Sequence, residues 1–279
     1  MNPILVAVDF SECAINALEH ALSFGNKSES DVYMVWVHRP DSAKEIGVDE
    51  SSNIEEVVEE RFNVMIRKYA SDFRYNIYYK LLNGKVYSEI VDFADEIDAL
   101  MIIAGTHGAS GFEEFLVGSN ANKIVSSTNL PVITIRGGID IARDLKRIIL
   151  PIDSTAETRQ KVLFTSLLAG FFNAEIHVLS LYSSASQSIK ERVDKFTKQI
   201  VDYLEEEEIS YQIDAIQAEN ITNATIQYAE RVDANLIAIM TEQERSASNI
   251  ILGPYASQMV NRSPIPVLSI HPKQIISTL

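Results

Sequence analysis

The sequence predicts an α/β protein built as two tandem units, each a five-stranded parallel sheet with helices on both faces. Three observations carry this. Apolar strand-like runs alternate with helical patterns along the chain, the mark of strand–helix–strand units. The order of elements occurs twice. Residues 233–270 also lie over 98–135 with no gap at an offset of 135, which brings Asp98 onto Asp233, Gly118 onto Gly253 and Pro131 onto Pro266. A length of 279 residues suits two domains, and 46% hydrophobic residues allow each to bury a core.

In the first half, Ile4–Val8 is a short apolar strand. Ser11 is placed to cap a helix whose apolar positions Ala14, Ala17, Leu18, Ala21 and Leu22 recur at helical spacing. Val32–Val37 is the second strand, followed by a loop over about 38–50 and a helix over about 53–71. Asn76–Leu81 is the third strand, ended by Asn83-Gly84, and Tyr87–Ile97 is helical. Leu100–Ala104 is the fourth strand, Ser119–Ser127 a helix, and Pro131–Ile135 the fifth strand. The second half repeats this with Ile148–Asp153, at an offset of 144 from Ile4–Asp9, then Ile176–Leu181, a charged helix over about 186–207, Leu236–Ile239 and Pro266–Ile270. Ser154 with Glu157 reads as a capping box. The two offsets differ by nine residues, which assigns extra length to the 38–50 loop. The units are expected over 1–137 and 147–272, with a linker over 138–146 and a tail over 273–279.

Composition narrows the function classes. The net charge of −15 argues against nucleic acid and anionic membranes as partners. It is uneven: residues 1–140 carry 11 Lys+Arg against 22 Asp+Glu, and residues 141–279 carry 13 against 17. The acidic run 49–60 reads as the solvated face of a helix, since its spacing matches no calcium loop. The single cysteine, Cys13, excludes an intrachain disulfide and suits a reducing cytosol. Its place on the first helix, with no paired histidine, reads as packing. The start reads as a strand rather than a signal peptide, and no apolar run has the length of a membrane span. A cytoplasmic protein is the expectation.

The residues that carry chemistry gather at predicted strand ends, where open parallel sheets bind ligands. Asp9 closes the first strand, Val37 the second and Gly105 the fourth. A carboxylate there can accept from ribose hydroxyls or an adenine amine, and the Val37 backbone could read an adenine edge. From Gly105 runs the pattern Gly105-Thr-His107-Gly108, nine residues, then Gly118-Ser119. Gly105 and Gly108 would let the backbone approach a ligand and tolerate positive φ. Gly118-Ser119 opens a helix, whose free N–H groups favour phosphate. Against this stands the reading in which each glycine only shapes a turn. The matched spacing of the set favours a ligand.

With these residues in place, the chain resembles the universal stress protein (UspA) family, over nearly its whole length. The resemblance rests on the early strand ending in Asp9, the strand ending in Val37, the G-x2-G-x9-G-S pattern and the Pro131-Val-x-x-Ile135 strand. It implies a strand order of 3-2-1-4-5 and an adenine-nucleotide site, ATP above all, with a divalent cation such as Mg2+ held through the phosphates. Asp9 and Val37 would hold adenosine. Gly105, Gly108, Gly118 and Ser119 would hold the phosphates, with the backbones of His107 and Asn120 beside them. It also implies antiparallel pairing of the fifth strands, here Val132–Ile135 with Val267–Ile270 inside one chain, and leaves a homodimer open.

The second copy departs from the pattern. Met240 stands for Gly105, Gln243 for Gly108, Pro254 for Ser119 and Glu219 for Gly84. Met240 adds a side chain, Pro254 removes a donor, and Glu242 and Glu244 bring charge that repels phosphate. Asp153 remains. An ATP site is therefore expected in the first unit alone, in a regulatory stress-response protein with little or no turnover. A slow ATPase and a nucleotide-independent scaffold are the alternatives. The residues after the first strand, Asp9-Phe-Ser-Glu-Cys13, lack the Ser-Gly-Gly loop of the related ATP pyrophosphatases.

Overall fold

The structure, a computed structural model, describes residues 1–48, 53–106, 119–136, 143–241, 243–246 and 249–272. The chain divides into two compact units, Met1–Ile139 and Asp140–Leu279.

In the first unit, strands β1 (Ile4–Ala7), β2 (Val32–His38), β3 (Ile77–Asn83), β4 (Met101–Gly105) and β5 (Val132–Ile135) form a parallel sheet in the order β3-β2-β1-β4-β5. Helices α1 (Glu12–Ser28), α3 (Ile54–Tyr69), α4 (Val86–Glu96) and α5 (Ser119–Ser127) make the crossovers. The four-residue α2 (Ser42–Glu45) lies in the stretch after β2 that the sequence marks as extra length. The central strands are apolar throughout because both faces are covered: Ile4, Leu5, Val6, Met101, Ile102 and Ile103 are fully buried. Strand β3, at the end of the order, alternates half-buried and exposed residues instead. On α1 the five apolar positions read from the sequence are all buried, and Ser11 caps the helix by accepting from the Ala14 N–H at 3.2 Å.

The second unit repeats the plan with β6 (Arg147–Ile152), β7 (Glu175–Tyr182), β8 (Tyr211–Gln217), β9 (Leu236–Met240) and β12 (Val267–Ile270), all parallel, in the order β8-β7-β6-β9-β12. Its helices are α6 (Lys161–Phe172), α7 (Gln187–Glu206), α8 (Ile221–Arg231) and α9 (Pro254–Arg262). A short antiparallel ribbon, β10 (Gln243–Ser246) with β11 (Asn249–Leu252), lies between β9 and α9.

The duplication is visible in the backbone as well as in the residue pattern. Glu29 and Asn173, 144 positions apart, both end their helices in the left-handed region, at φ 56° and 53°. Asp98 and Asp233, 135 apart, sit there too, at 49° and 53°. Each is followed by the same closing bond, Ala99 N–H to Ala94 C=O and Ala234 N–H to Ala229 C=O, both 2.9 Å.

The first turn after Asp153 differs from expectation. No capping box forms at Ser154. Thr155 precedes a 3-10 turn over Ala156–Arg159, Glu157 lies inside that turn, and the α-helix begins only at Lys161. The Asp153 carboxylate takes the Thr155 N–H and hydroxyl, at 2.7 and 2.5 Å, just as Asp9 takes those of Ser11 in the first unit, so the two units part only after this shared turn.

Candidate functional site

In the first unit β2, β1 and β4 are adjacent and parallel, so Val37, Asp9 and Gly105 come to the same edge of the sheet. Helix α5 leads back to the start of β5, so its first residues, Ser119 and Asn120, stand at that edge as well. His107, Gly108 and Gly118 lie outside the described residues.

Asp9 comes two residues after β1 ends, and its Oδ1 accepts from the Ser11 N–H at 3.0 Å and the Ser11 hydroxyl at 2.5 Å. Phe10, inside this turn, sits in the left-handed region, at φ 63°, which is uncommon for an aromatic residue. Packing holds it there. The Phe10 ring lies 5.1 Å from that of Phe62 on α3, with the Arg61 guanidinium 5.4 Å over it. Arg61 also donates to the Ile46 carbonyl at 2.8 Å, tying α3 to the chain after α2. This aromatic–cation wall beside Asp9 escaped the sequence reading. Phe10 carries no turn-residue signal, and Arg61 sits in a helix of mixed charge.

Strand β2 runs one residue past Val37, to His38, whose Nδ1 donates to Asn83 Oδ1 at 3.0 Å and whose ring stacks on Trp36 at 5.6 Å. The register with β1 ends at Ala7 opposite Val35, where the Val8 N–H still bonds the Val35 carbonyl. Alternation aims the Val37 backbone to the same side as that of Val35, past the last paired residue of β1 and toward Asp9.

Gly105 ends β4, and its φ is not positive, contrary to the dihedral part of the expectation. It is glycine for space: a Cβ there would lie 2.8 Å from the Cys13 Sγ and 3.1 Å from the Cys13 carbonyl carbon. Cys13 is buried and donates its thiol to the Ile135 carbonyl at 3.1 Å, and the Thr106 N–H reaches the same carbonyl at 2.9 Å.

The matching edge of the second unit is built differently. Lys161 is 2% exposed, and its ammonium donates to the Thr158 carbonyl and hydroxyl, both at 2.9 Å. The Asp153 N–H reaches the same hydroxyl at 3.3 Å. Burial pushes the Lys161 amine down from its ordinary 10.5 to about 8, against the upward pull of the Asp153 carboxylate. This buried cation was also missed. The available signal was its overlay on Ala17, a core position, at the offset of 144. Met240 ends β9 and is buried. The Thr241 hydroxyl bonds His271 Nδ1 at 2.8 Å, and Gln243 and Glu244 stand in β10, while Glu242 lies outside the described residues. Gly253 precedes α9, with Pro254 as its first residue, where a missing N–H is tolerated.

The first-unit edge fits an adenine nucleotide: an acceptor at Asp9, a backbone reader at Val37 and a helix start at Ser119 converge on it. Among the described residues no three His, Cys, Asp or Glu side chains form a metal cluster. Among the described residues, too, no helix is long and apolar enough to cross a membrane.

Comparison with known proteins agrees with the repeat. Universal stress protein MJ0531 of Methanocaldococcus jannaschii is 27% identical over 139 residues, covering 48% of this chain and 81% of its own length. Universal stress protein MJ0577 of the same organism is 28% identical over 151 residues, covering 48% and 93%. Among solved structures, a universal stress protein from Archaeoglobus fulgidus DSM 4304 shares the fold over 98% of this chain and 99% of its own, with a TM-score of 0.75 at 18% identity. The universal stress protein family model matches residues 1–136 and again 144–271, and the chain therefore belongs to the universal stress protein family as a tandem of two copies.

Proposed function

We propose that the protein is an ATP-binding member of its family with a regulatory, stress-related role, and that only the N-terminal unit takes the nucleotide. The observation that carries this is the contrast between the two sheet edges. In the first unit Asp9, the Val37 backbone, Gly105 and the start of α5 share one edge. In the second the corresponding edge holds the Asp153–Thr158–Lys161 cluster. Asp9 and Val37 would orient the adenosine, and the helix start at Ser119 with Gly105, His107, Gly108, Gly118 and Asn120 would receive the phosphates. When bound, Mg2+ would supply charge neutralisation between the phosphates. Binding the folded state alone stabilises it, so occupancy can act on partner choice by linkage.

The rest of the proposal follows the family resemblance. The working domains are 1–137 and 147–272, in a cytoplasmic protein. Strands β5 and β12, each last in its own unit's order, would pair antiparallel within the chain, with homodimers as the further level of assembly.

Isothermal titration of ATP with Mg2+ into the intact chain, cleared of co-purified nucleotide, tests the reading. One nucleotide per chain is expected, lost in Gly118→Met. Two per chain would refute the restriction to the first unit. No binding would leave the scaffold reading. Phosphate release followed in the same samples separates a binder from a slow ATPase.

A further inference from the structure

Gly105 is the first glycine of the loop, and a nucleotide is the obvious reason for it. The geometry points to another. The nearest atoms to a Cβ at 105 are all in Cys13, with Sγ at 2.8 Å, the carbonyl carbon at 3.1 Å and Cβ at 3.2 Å. Real Cβ contacts essentially never fall below 3.0 Å. We infer that Gly105 is a positioning residue, glycine because the first turn of α1 docks through Cys13 onto the ends of β4 and β5. That docking sets the point at which the chain leaves β4 for the glycine loop. The inference rests on the nucleotide reading for its effect on binding, but not for the interlock itself.

Two further observations support it. The Ile135 carbonyl has two lone pairs and both are used, by the Thr106 N–H at 2.9 Å and the Cys13 thiol at 3.1 Å. One acceptor therefore joins the last residue of β5, the residue after β4 and the first turn of α1. The second unit supplies the counter-case. Met240 stands where Gly105 does, and the residue overlaid on Cys13 is Glu157, exposed and in a 3-10 turn. There the Ile270 carbonyl takes the Thr241 N–H at 2.9 Å and the Thr241 hydroxyl at 3.3 Å, two donors from a single residue. A side chain at this position thus goes together with a first turn that is 3-10 rather than α-helical.

A double-mutant cycle on the full chain tests the interlock: wild type, Gly105→Ala, Cys13→Ala and the double variant, each measured for ATP–Mg2+ affinity and for thermal midpoint. Gly105→Ala is expected to weaken binding about tenfold and to lower the midpoint, the usual scale of an overpacked site. Removing the sulfur in the double variant is expected to recover most of both losses. Wild-type affinity in Gly105→Ala would overturn the inference. So would a double variant that regains its midpoint but not its affinity, because the glycine would then serve the ligand directly. If the wild type binds no nucleotide, the functional reading fails, and the midpoints decide the interlock: coupling between the two substitutions upholds it and additivity overturns it.

Discussion

At Lys161 an ammonium group is held out of water with Thr158 as its hydrogen-bond partner and Asp153 as its nearby countercharge. The folded unit gives up this proton near pH 8 and the unfolded chain near its ordinary 10.5, so between those values the folded state binds fewer protons. Stability must then rise with pH across that window, and the penalty is complete below pH 8, on the order of 3 kcal/mol. Denaturation of wild type and Lys161→Met at pH 7 and pH 10 checks this. The wild type is expected to gain on the variant at the higher pH, and parallel behaviour would mean the amine is not held charged out of water. Phe10 presents the other residue-scale cost, an aromatic side chain at positive φ held by Phe62 and Arg61. The Phe10 conformation was not legible in the sequence, and Lys161 showed only through its overlay on Ala17. A buried lysine looks like any surface lysine until its helix face is known, and a left-handed Phe has no compositional mark.

Among the elements, α1 and α6 are overlaid copies with different outer faces. Where α1 carries Glu19 and Ser23, α6 carries Leu163 and Leu167, 62% and 38% exposed. Exposed apolar side chains contribute little to folding, so Leu163→Glu is expected to shift stability by no more than about 0.5 kcal/mol in urea denaturation. A larger loss would mean that this face is covered in solution. The strands and helices themselves were largely readable. Buried central strands such as Ile4–Ala7 and Met101–Gly105 are unbroken apolar runs, and helices such as α1 repeat at the helical period. The third strand of the second unit was harder. Tyr211–Gln217 ends its sheet's order, and its half-exposed, polar-rich alternation sets it little apart from a loop. The ribbon of β10 and β11 was also unread, for it falls on positions that the overlay assigned to a loop.

Across the whole molecule the repeat is written at two depths. Paired left-handed residues, Glu29 with Asn173 and Asp98 with Asp233, keep the same bends in both copies. The helix start after the first strand is not kept: Ser11 caps a helix that starts at Glu12, whereas a 3-10 turn delays the second helix to Lys161. The sequence displayed the lost glycines but not this displaced helix start, since Thr155 makes the same bonds to Asp153 that Ser11 makes to Asp9. Restoring the motif with Met240→Gly, Gln243→Gly and Pro254→Ser together is therefore expected to add no second nucleotide per chain, counted by titration against the parent protein. A second equivalent would show that the three side chains alone had closed the site.

The 3-10 turn also decides what a successful graft would require. Point repair leaves the helix beginning in the wrong place, with its first α-helical residue a buried cation. The smallest transplantable piece is the contiguous run from Asp153 through Lys161, exchanged for Asp9 through Ala17, so that cap, turn and core position travel together. The two copies have diverged by segment, and they are interchangeable only by segment.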